Sequence, residues 1–232
     1  MKIRTLAACV IAVLWLTYGL EGQSLTRYRD FELGSNLASV STLTGVPSSE
    51  AKTIHQRPAV LQDLEWRPSH WTSGSMAVST DPVQLIRFSF YNDQLFRLVI
   101  DYGHDRTEGM TNADMIEAIS AVYGAPLPRA SRAAGEVAVS RLESESGSPL
   151  ARWGDTDHAA VLYQTTLYAT GFRLVVTEAR LDDLARKAAT QAVRLDEQEA
   201  PGREIARQKK EHDDGRAAAE KARIANKAVF RP

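Results

Sequence analysis

The stretch DYGHDRTEG, residues 101 to 109, gathers Asp101, His104, Asp105 and Glu108 within eight positions. Carboxylate oxygens beside an imidazole form a donor set that can hold a divalent cation. The spacing matches no Ca²⁺ loop, and the alternative is a solvated linker between two folded segments. Gly154-Asp155-Thr156-Asp157-His158 has a similar composition, and a tight turn accounts for it. A second kind of chemistry is recognition. LEWRPSHWTSGS, residues 64 to 75, sets Trp66, Arg67, His70 and Trp71 around Pro68, and Trp and Arg are enriched at binding hot spots. Trp66, at a strand end, reads as core; Trp71 and Arg67 are the candidate exposed anchors for a partner.

The chain contains no G-x-S-x-G elbow, H-E-x-x-H helix, phosphate loop or dinucleotide fingerprint. No cofactor and no catalytic residue is therefore assigned, and the expectation is a noncatalytic protein. Cys9 is the single cysteine. It lies in the leader described below, so the mature protein would have no thiol chemistry and no disulfide. A formal net charge of -1 gives no global field toward nucleic acid or anionic lipid. With 232 residues, 44% hydrophobic and 25% charged, the chain has the composition of a globular protein able to bury a core.

Residues 1 to 24 read as a secretory signal peptide: Lys2 and Arg4, an uncharged stretch from Thr5 to Leu20, then small residues at Gly19, Gly22 and Ser24. That stretch is shorter than the roughly 20 residues needed to span a bilayer. Cleavage is expected between Leu20 and Leu25, giving a periplasmic or secreted protein with no stable membrane insertion; the alternative is an anchor left uncleaved. Leu6-Ala7-Ala8-Cys9 has the look of a lipobox, but cutting there would leave no apolar region upstream.

Two helices share one grammar. In ELGSNLASVSTLTGVP, residues 32 to 47, Leu33, Leu37, Val40 and Leu43 fall on one helical face, Ser35 stands where a cap belongs, and Gly45 and Pro47 end the run. In EGMTNADMIEAISAVYGAP, residues 108 to 126, Thr111 is the N-cap, Asp114 follows three residues on, and Met115, Ile119, Val122 and Tyr123 form the face before Gly124 and Pro126. Gly34 and Gly109 stand 75 residues apart; Phe96 of FRLVI and Phe172 of FRLVV stand 76 apart. The shared period predicts a tandem repeat, with Trp66 and Trp153, 87 apart, marking a difference in loop length.

Each copy should end in a hairpin. Ile86, Phe88 and Phe90 alternate with polar residues, as do Phe96, Leu98 and Ile100. Their apolar faces coincide if Phe90 pairs with Phe96 around an odd-length loop at Asn92-Asp93-Gln94. In the second hairpin Leu167 would face Phe172, with Thr165 opposite Leu174 and Tyr163 opposite Val176. Phe96 and Phe172 are both expected on the helix-covered face. Further strands are expected at 60–66, 137–142 and 150–153.

The predicted fold is α+β: two tandem modules, each a helix followed by an antiparallel sheet in a two-layer sandwich, then a long charged C-terminal helix. The boundaries are 25–107 and 108–180 for the modules, 181–200 for an amphipathic helix with Leu184, Ala188, Ala192 and Leu195 on one face, and 201–232 for a charged helical or disordered tail. The helix openings, Gly34, Ser35, Asn36, Val40, Gly45 and Pro47, then Gly109, Met110, Thr111, Met115, Gly124 and Pro126, resemble the small periplasmic modules of the outer-membrane-assembly lipoprotein and β-lactamase-inhibitor-protein type. That resemblance implies a protein-binding module of the bacterial envelope, with the exposed sheet face as its contact surface and another envelope protein as its partner.

After Pro201-Gly202 large apolar residues almost vanish; Val229 and Phe230 remain as candidate anchors on what is otherwise a solvated helix or coiled-coil-like spacer. Opposite charges four apart, as at Arg207 and Glu211, would support helix there. A competing expectation for the whole chain is a small-ligand or divalent-metal-binding periplasmic protein with its site at the module junction.

Overall fold

A computed structural model describes residues 24–68, 81–128, 147–165, 171–229 and 231. The leader, the expected strand at 137–142, the loop around Tyr168, and the candidate anchors Trp71 and Phe230 lie outside the described residues. The chain divides into two compact units, residues 1–185 and 186–232. No helix among the described residues is long and apolar enough to cross a membrane.

The first unit is α+β. It opens with a small hairpin of β1 (Arg27–Tyr28) and β2 (Phe31–Glu32), followed by helix α1 (Leu37–Thr44) and a 3-10 turn at Ser48–Glu50. Then come β3 (Lys52–His55), β4 (Leu61–Trp66), β5 (Val83–Tyr91) and β6 (Gln94–Tyr102). Two helices follow, the short α2 (His104–Thr107) and α3 (Asn112–Tyr123), and then β7 (Ser148–Gly154), β8 (His158–Thr165) and β9 (Gly171–Glu178). Helix α4 (Ala179–Val229) begins here and runs on through the second unit.

Seven strands form one antiparallel sheet in the order β3-β4-β5-β6-β9-β8-β7. The two modules thus meet edge to edge, β6 against β9, and share a single sheet. Two separate sandwiches were expected and a single sheet is found, in which the two hairpins have matching registers. Across the seam Val99 pairs with Val175, Leu98 with Val176 and Ile100 with Leu174. Within the modules Leu98 faces Phe88 as Leu174 faces Leu162, and Ile100 faces Ile86 as Val176 faces Ala160. One strand further out, Trp66 pairs with Ile86 and Trp153 with Ala160, so the two tryptophans occupy equivalent places.

The helix signals act in pairs too. Gly34 and Gly109 have φ of 86° and 79°, and Gly45 and Gly124 have 72° and 83°, conformations that cost glycine nothing. Thr111 closes a capping box with Asp114. In α1 the cap is Asn36, whose Oδ1 accepts from Ser39 N at 2.8 Å, and not Ser35. Ser35 instead turns back, its hydroxyl donating to the Glu32 carbonyl. Starting later and ending at Thr44, α1 buries Leu37 and Val40 and leaves Leu43 exposed.

Two expected registers are corrected. Asn92 and Asp93, at φ of 46° and 66°, form a two-residue turn whose positive φ values suit strand twist. Phe90 then pairs with Leu95, and Phe96 becomes the extra residue of a bulge before Ser89 and Arg97 resume pairing. Phe96 is buried but stands outside the main core cluster, whereas Phe172 belongs to it. In the second hairpin Gln164 faces Phe172, Leu162 faces Leu174 and Ala160 faces Val176, which moves Leu162 into the core where Tyr163 was expected. Tyr163 points to the other face by strand alternation.

One sheet face packs against α1, α3 and the β1-β2 hairpin: Leu37, Val40, Met115 and Ile119 join Leu64, Phe88, Leu98, Leu162, Leu174 and Trp153 in one cluster. Phe31 stacks edge-on against Phe88, with ring centroids 4.7 Å apart. The second face, expected open for partner contact, is covered in its centre, while further out on it Glu65 is exposed and Arg87 half-buried. Ser89, Tyr163 and Val175 on it are buried, and Arg97, also on that face, forms an ion pair with the buried Asp182 in the first turns of α4. Both outer strands carry register irregularities, between Thr53 and His55 in β3 and between Pro149 and Ala151 in β7; the β6-β9 seam pairs regularly.

In the second unit the helix continues through Pro201, so the amphipathic segment and the charged tail, divided at residue 200 on composition, form one helix. Proline removes the bond to the carbonyl four residues back, and here that carbonyl, on Glu197, belongs to an exposed stretch of helix. Ala188 and Ala192 are buried; Val193, Ile205, Ile224 and Val229 are exposed. The closest ion pairs run from acid to base over three residues, Glu204 with Arg207 at 2.9 Å and Glu220 with Arg223 at 2.6 Å, while Arg207 reaches Glu211 at 3.9 Å.

Candidate functional site

The residues that could have held a metal do not converge. Asp101 lies on the sheet, where Arg173 across the seam grips it through Nε and through Nη2 at 3.1 Å. His104 and Asp105 open α2, exposed, and Glu108 is exposed just past its end. Among the described residues no group of three or more His, Cys, Asp or Glu side chains is placed to hold a metal ion. The physical reason is strand geometry: Asp101 is still part of β6 and points away from the loop. Asp155 acts as expected for a turn, its Oδ1 accepting from the backbone N–H of Asp157 and of His158. Arg67 is exposed, 4.0 Å from Glu65, and Val229 is exposed near the end of α4.

The same junction does contain a cavity, of about 390 Å³, built from segments far apart in the chain. Helix α3 supplies one wall with Met115, Ala118, Ile119, Val122 and Tyr123. The end of β6 and the linker supply Tyr102, Arg106, Thr107 and Met110, and Pro82 adds an apolar edge before β5. The β1-β2 hairpin closes the remaining side with Tyr28 and Arg29.

Local structure explains why these side chains are held. Arg29 sits in the hairpin turn at φ 54°, a conformation that costs a non-glycine residue about 1 to 3 kcal/mol and needs external support. Asp81 provides it through a fork-to-fork ion pair at 2.7 and 2.8 Å. Tyr123 donates its hydroxyl to the Arg27 carbonyl at 3.1 Å, fastening α3 to the same hairpin. Arg29 also lies over the Tyr28 ring, 5.5 Å from its centroid.

The electrostatics of the cavity follow from burial. Desolvation pushes the Tyr28, Tyr102 and Tyr123 hydroxyls upward, Tyr102 well above the ordinary phenol value, with the neighbouring Tyr28 adding to the effect at Tyr102 and Tyr123. The Tyr28 and Tyr102 hydroxyls are near enough to shift each other's titration. Asp81 holds Arg29 even more firmly protonated than usual. At neutral pH the walls therefore present apolar carbon, sulfur, three neutral phenols and the guanidinium groups of Arg29 and Arg106.

Of these residues, sequence periodicity had found only the α3 face. Tyr28, Arg29 and Pro82 carried no signal, because nothing in their spacing tells that separate segments close around one space. The one available hint was Tyr102, which continues the inward alternation of Leu98 and Ile100 one position beyond the core.

Comparison of the chain with protein-family models, with curated proteins and with solved structures finds no match in any of the three.

Proposed function

We propose that this chain is an exported, noncatalytic binding protein of the bacterial envelope whose ligand site is the cavity at the junction of the two modules. The observation that carries this reading is the cavity itself. At about 390 Å³ it falls within the range of small-molecule sites, and its apolar walls with a few fixed polar groups have the make-up of such sites. Its phenols stay protonated at neutral pH, which suits hydrogen bonding and not nucleophilic attack. Export rests on the leader at residues 1 to 24.

A ligand that binds only the folded protein raises its melting temperature. Indole, naphthalene and 1-decanol should each be tested against the full chain, with Ala118→Trp as the control. Ala118 is exposed on α3 while lining the cavity, so a large side chain there fills the mouth without entering the core. A shift lost in Ala118→Trp supports the reading; no shift with any of the three sinks it. Export is tested separately by sequencing the N-terminus of the envelope form, where recovery of Met1 from soluble material would refute cleavage.

A second reading, contact with another envelope protein, is favoured by the helix beyond residue 186. There Val193, Ile205, Ile224 and Val229 are exposed on a surface otherwise polar, and the helix openings of the modules resemble periplasmic protein-binding modules. A photocrosslinker placed at Ile205 or Ile224 in intact cells would capture the partner, and its failure to capture any protein at either position would count against this reading.

A further inference from the structure

We infer that the junction cavity selects an uncharged ligand with an apolar body, and excludes carboxylates and amines of the same size. This rests on the reading of the cavity as a ligand site and goes beyond it by assigning the chemical class.

The inference follows from where each polar wall group is already committed. Arg29 and Arg106 are the charges on the cavity wall, and both arms of the Arg29 guanidinium are taken by Asp81, at 2.7 and 2.8 Å. Arg106 pairs with Asp105 by charge, its Nε 3.4 Å from the carboxylate, a contact that does not make a hydrogen bond. Thr107 donates its hydroxyl to the Gly103 carbonyl at 3.1 Å. Tyr123 donates to Arg27.

A ligand carboxylate entering the cavity would leave water without a cation released to meet it, and a ligand ammonium would lie beside Arg29 with no carboxylate unspent. Burying an unpaired ion is far costlier than burying a neutral polar group. A neutral hydroxyl or ether loses less on leaving water and can accept or donate at a phenol without disturbing the ion pairs.

Size narrows the class further. An apolar cavity of about 150 Å³ takes a benzene-sized molecule, so this larger space admits roughly a fused aromatic pair or a chain of about ten carbons. Met110 and Met115 in the lining give walls that adapt to either shape, since thioether chains bend at low cost.

The test uses three probes of one length at neutral pH, 1-decanol, decanoate and decylammonium, titrated into the full chain by calorimetry below their micellar concentrations. The expected result is that decanol binds at least tenfold more tightly than either ion, and that Ala118→Trp removes decanol binding. Asp81→Asn, which releases the Arg29 fork, should narrow the gap by strengthening decanoate alone. Decanoate or decylammonium binding as well as decanol to the unaltered chain would overturn the selectivity while leaving the cavity as a ligand site. Absence of binding by all three would overturn the site itself, and an unchanged preference in a folded Asp81→Asn variant would show that Arg29 is not what excludes charge.

Discussion

Val99 of β6 lies directly opposite Val175 of β9, and the two are the fourth residues of FRLVI and FRLVV. A local twofold axis normal to the sheet therefore passes between them, carrying each module's last strand onto the other's. The symmetry is broken in the ion pairs. Arg173 faces Asp101 across the seam, whereas its counterpart Arg97 faces Thr177 and turns to Asp182 of α4 instead.

The axis makes a quantitative demand. Leu98 and Leu174 are related by it, both wholly buried, so Leu98→Ala and Leu174→Ala should each cost about 2 to 5 kcal/mol. Urea denaturation of the two variants checks this. A surface-like loss of under about 0.5 kcal/mol for one of them would mean that the two strands are not structural equivalents.

Arg97 and Asp182 are mostly removed from solvent, with side-chain exposures of 14% and 10%. Truncating one partner of such a pair leaves the other charge buried, and Asp182→Ala should destabilise by about 3 to 5 kcal/mol. The double variant Arg97→Met with Asp182→Leu should recover much of the loss, because both charges are then gone. Chemical denaturation of the three variants decides it; equal loss in single and double variants would assign the cost to packing alone.

Asp114 is held below its ordinary value of 3.8 first by the Thr111 backbone N–H and then by the Thr111 hydroxyl. Because the folded value is the lower one, the contribution of the cap is complete above about pH 4 and is lost as pH falls through the folded value. Asp155 shifts in the same direction through the backbone N–H groups of His158 and Asp157. Carboxyl titration by NMR should place both below 3.8, and Thr111→Val should return Asp114 toward that value.

Pro201 sits inside an exposed helix, where proline is roughly 3 kcal/mol less favourable than alanine. The helix should open there first, since exposed segments unfold locally at low cost. Brief proteolysis is expected to cut near residue 200 before it cuts the sheet, and Pro201→Ala should slow that cleavage. First cleavage between 103 and 110 would contradict the prediction.

Much of the fold was legible because its signals are local. Glycines at required positive φ, the Thr111 cap, and tryptophans at matching strand positions all speak through residue type and spacing. Hairpin register was less legible. Alternation cannot reveal an inserted residue, and Phe96 looks like the next inward position when it is in fact the bulge. The acidic cluster misled for a related reason: Asp101 and His104 are near neighbours in sequence, yet one belongs to a strand and the other opens a helix. The cavity was hidden altogether, since Arg29, Pro82, Tyr102 and Tyr123 meet only through tertiary packing.

The regular seam and the irregular outer strands have a consequence for copy number. A single module made alone would end in β6 or β9 with a bare row of N–H and C=O groups, an adhesive margin that recruits any available strand. Here each copy stoppers the other, and the remaining margins resist extension: β3 and β7 are both out of step, and Pro149 in β7 has no N–H to offer. Among the described strands, the regular pairing thus lies at the seam, while both outer margins are poor templates for a further strand.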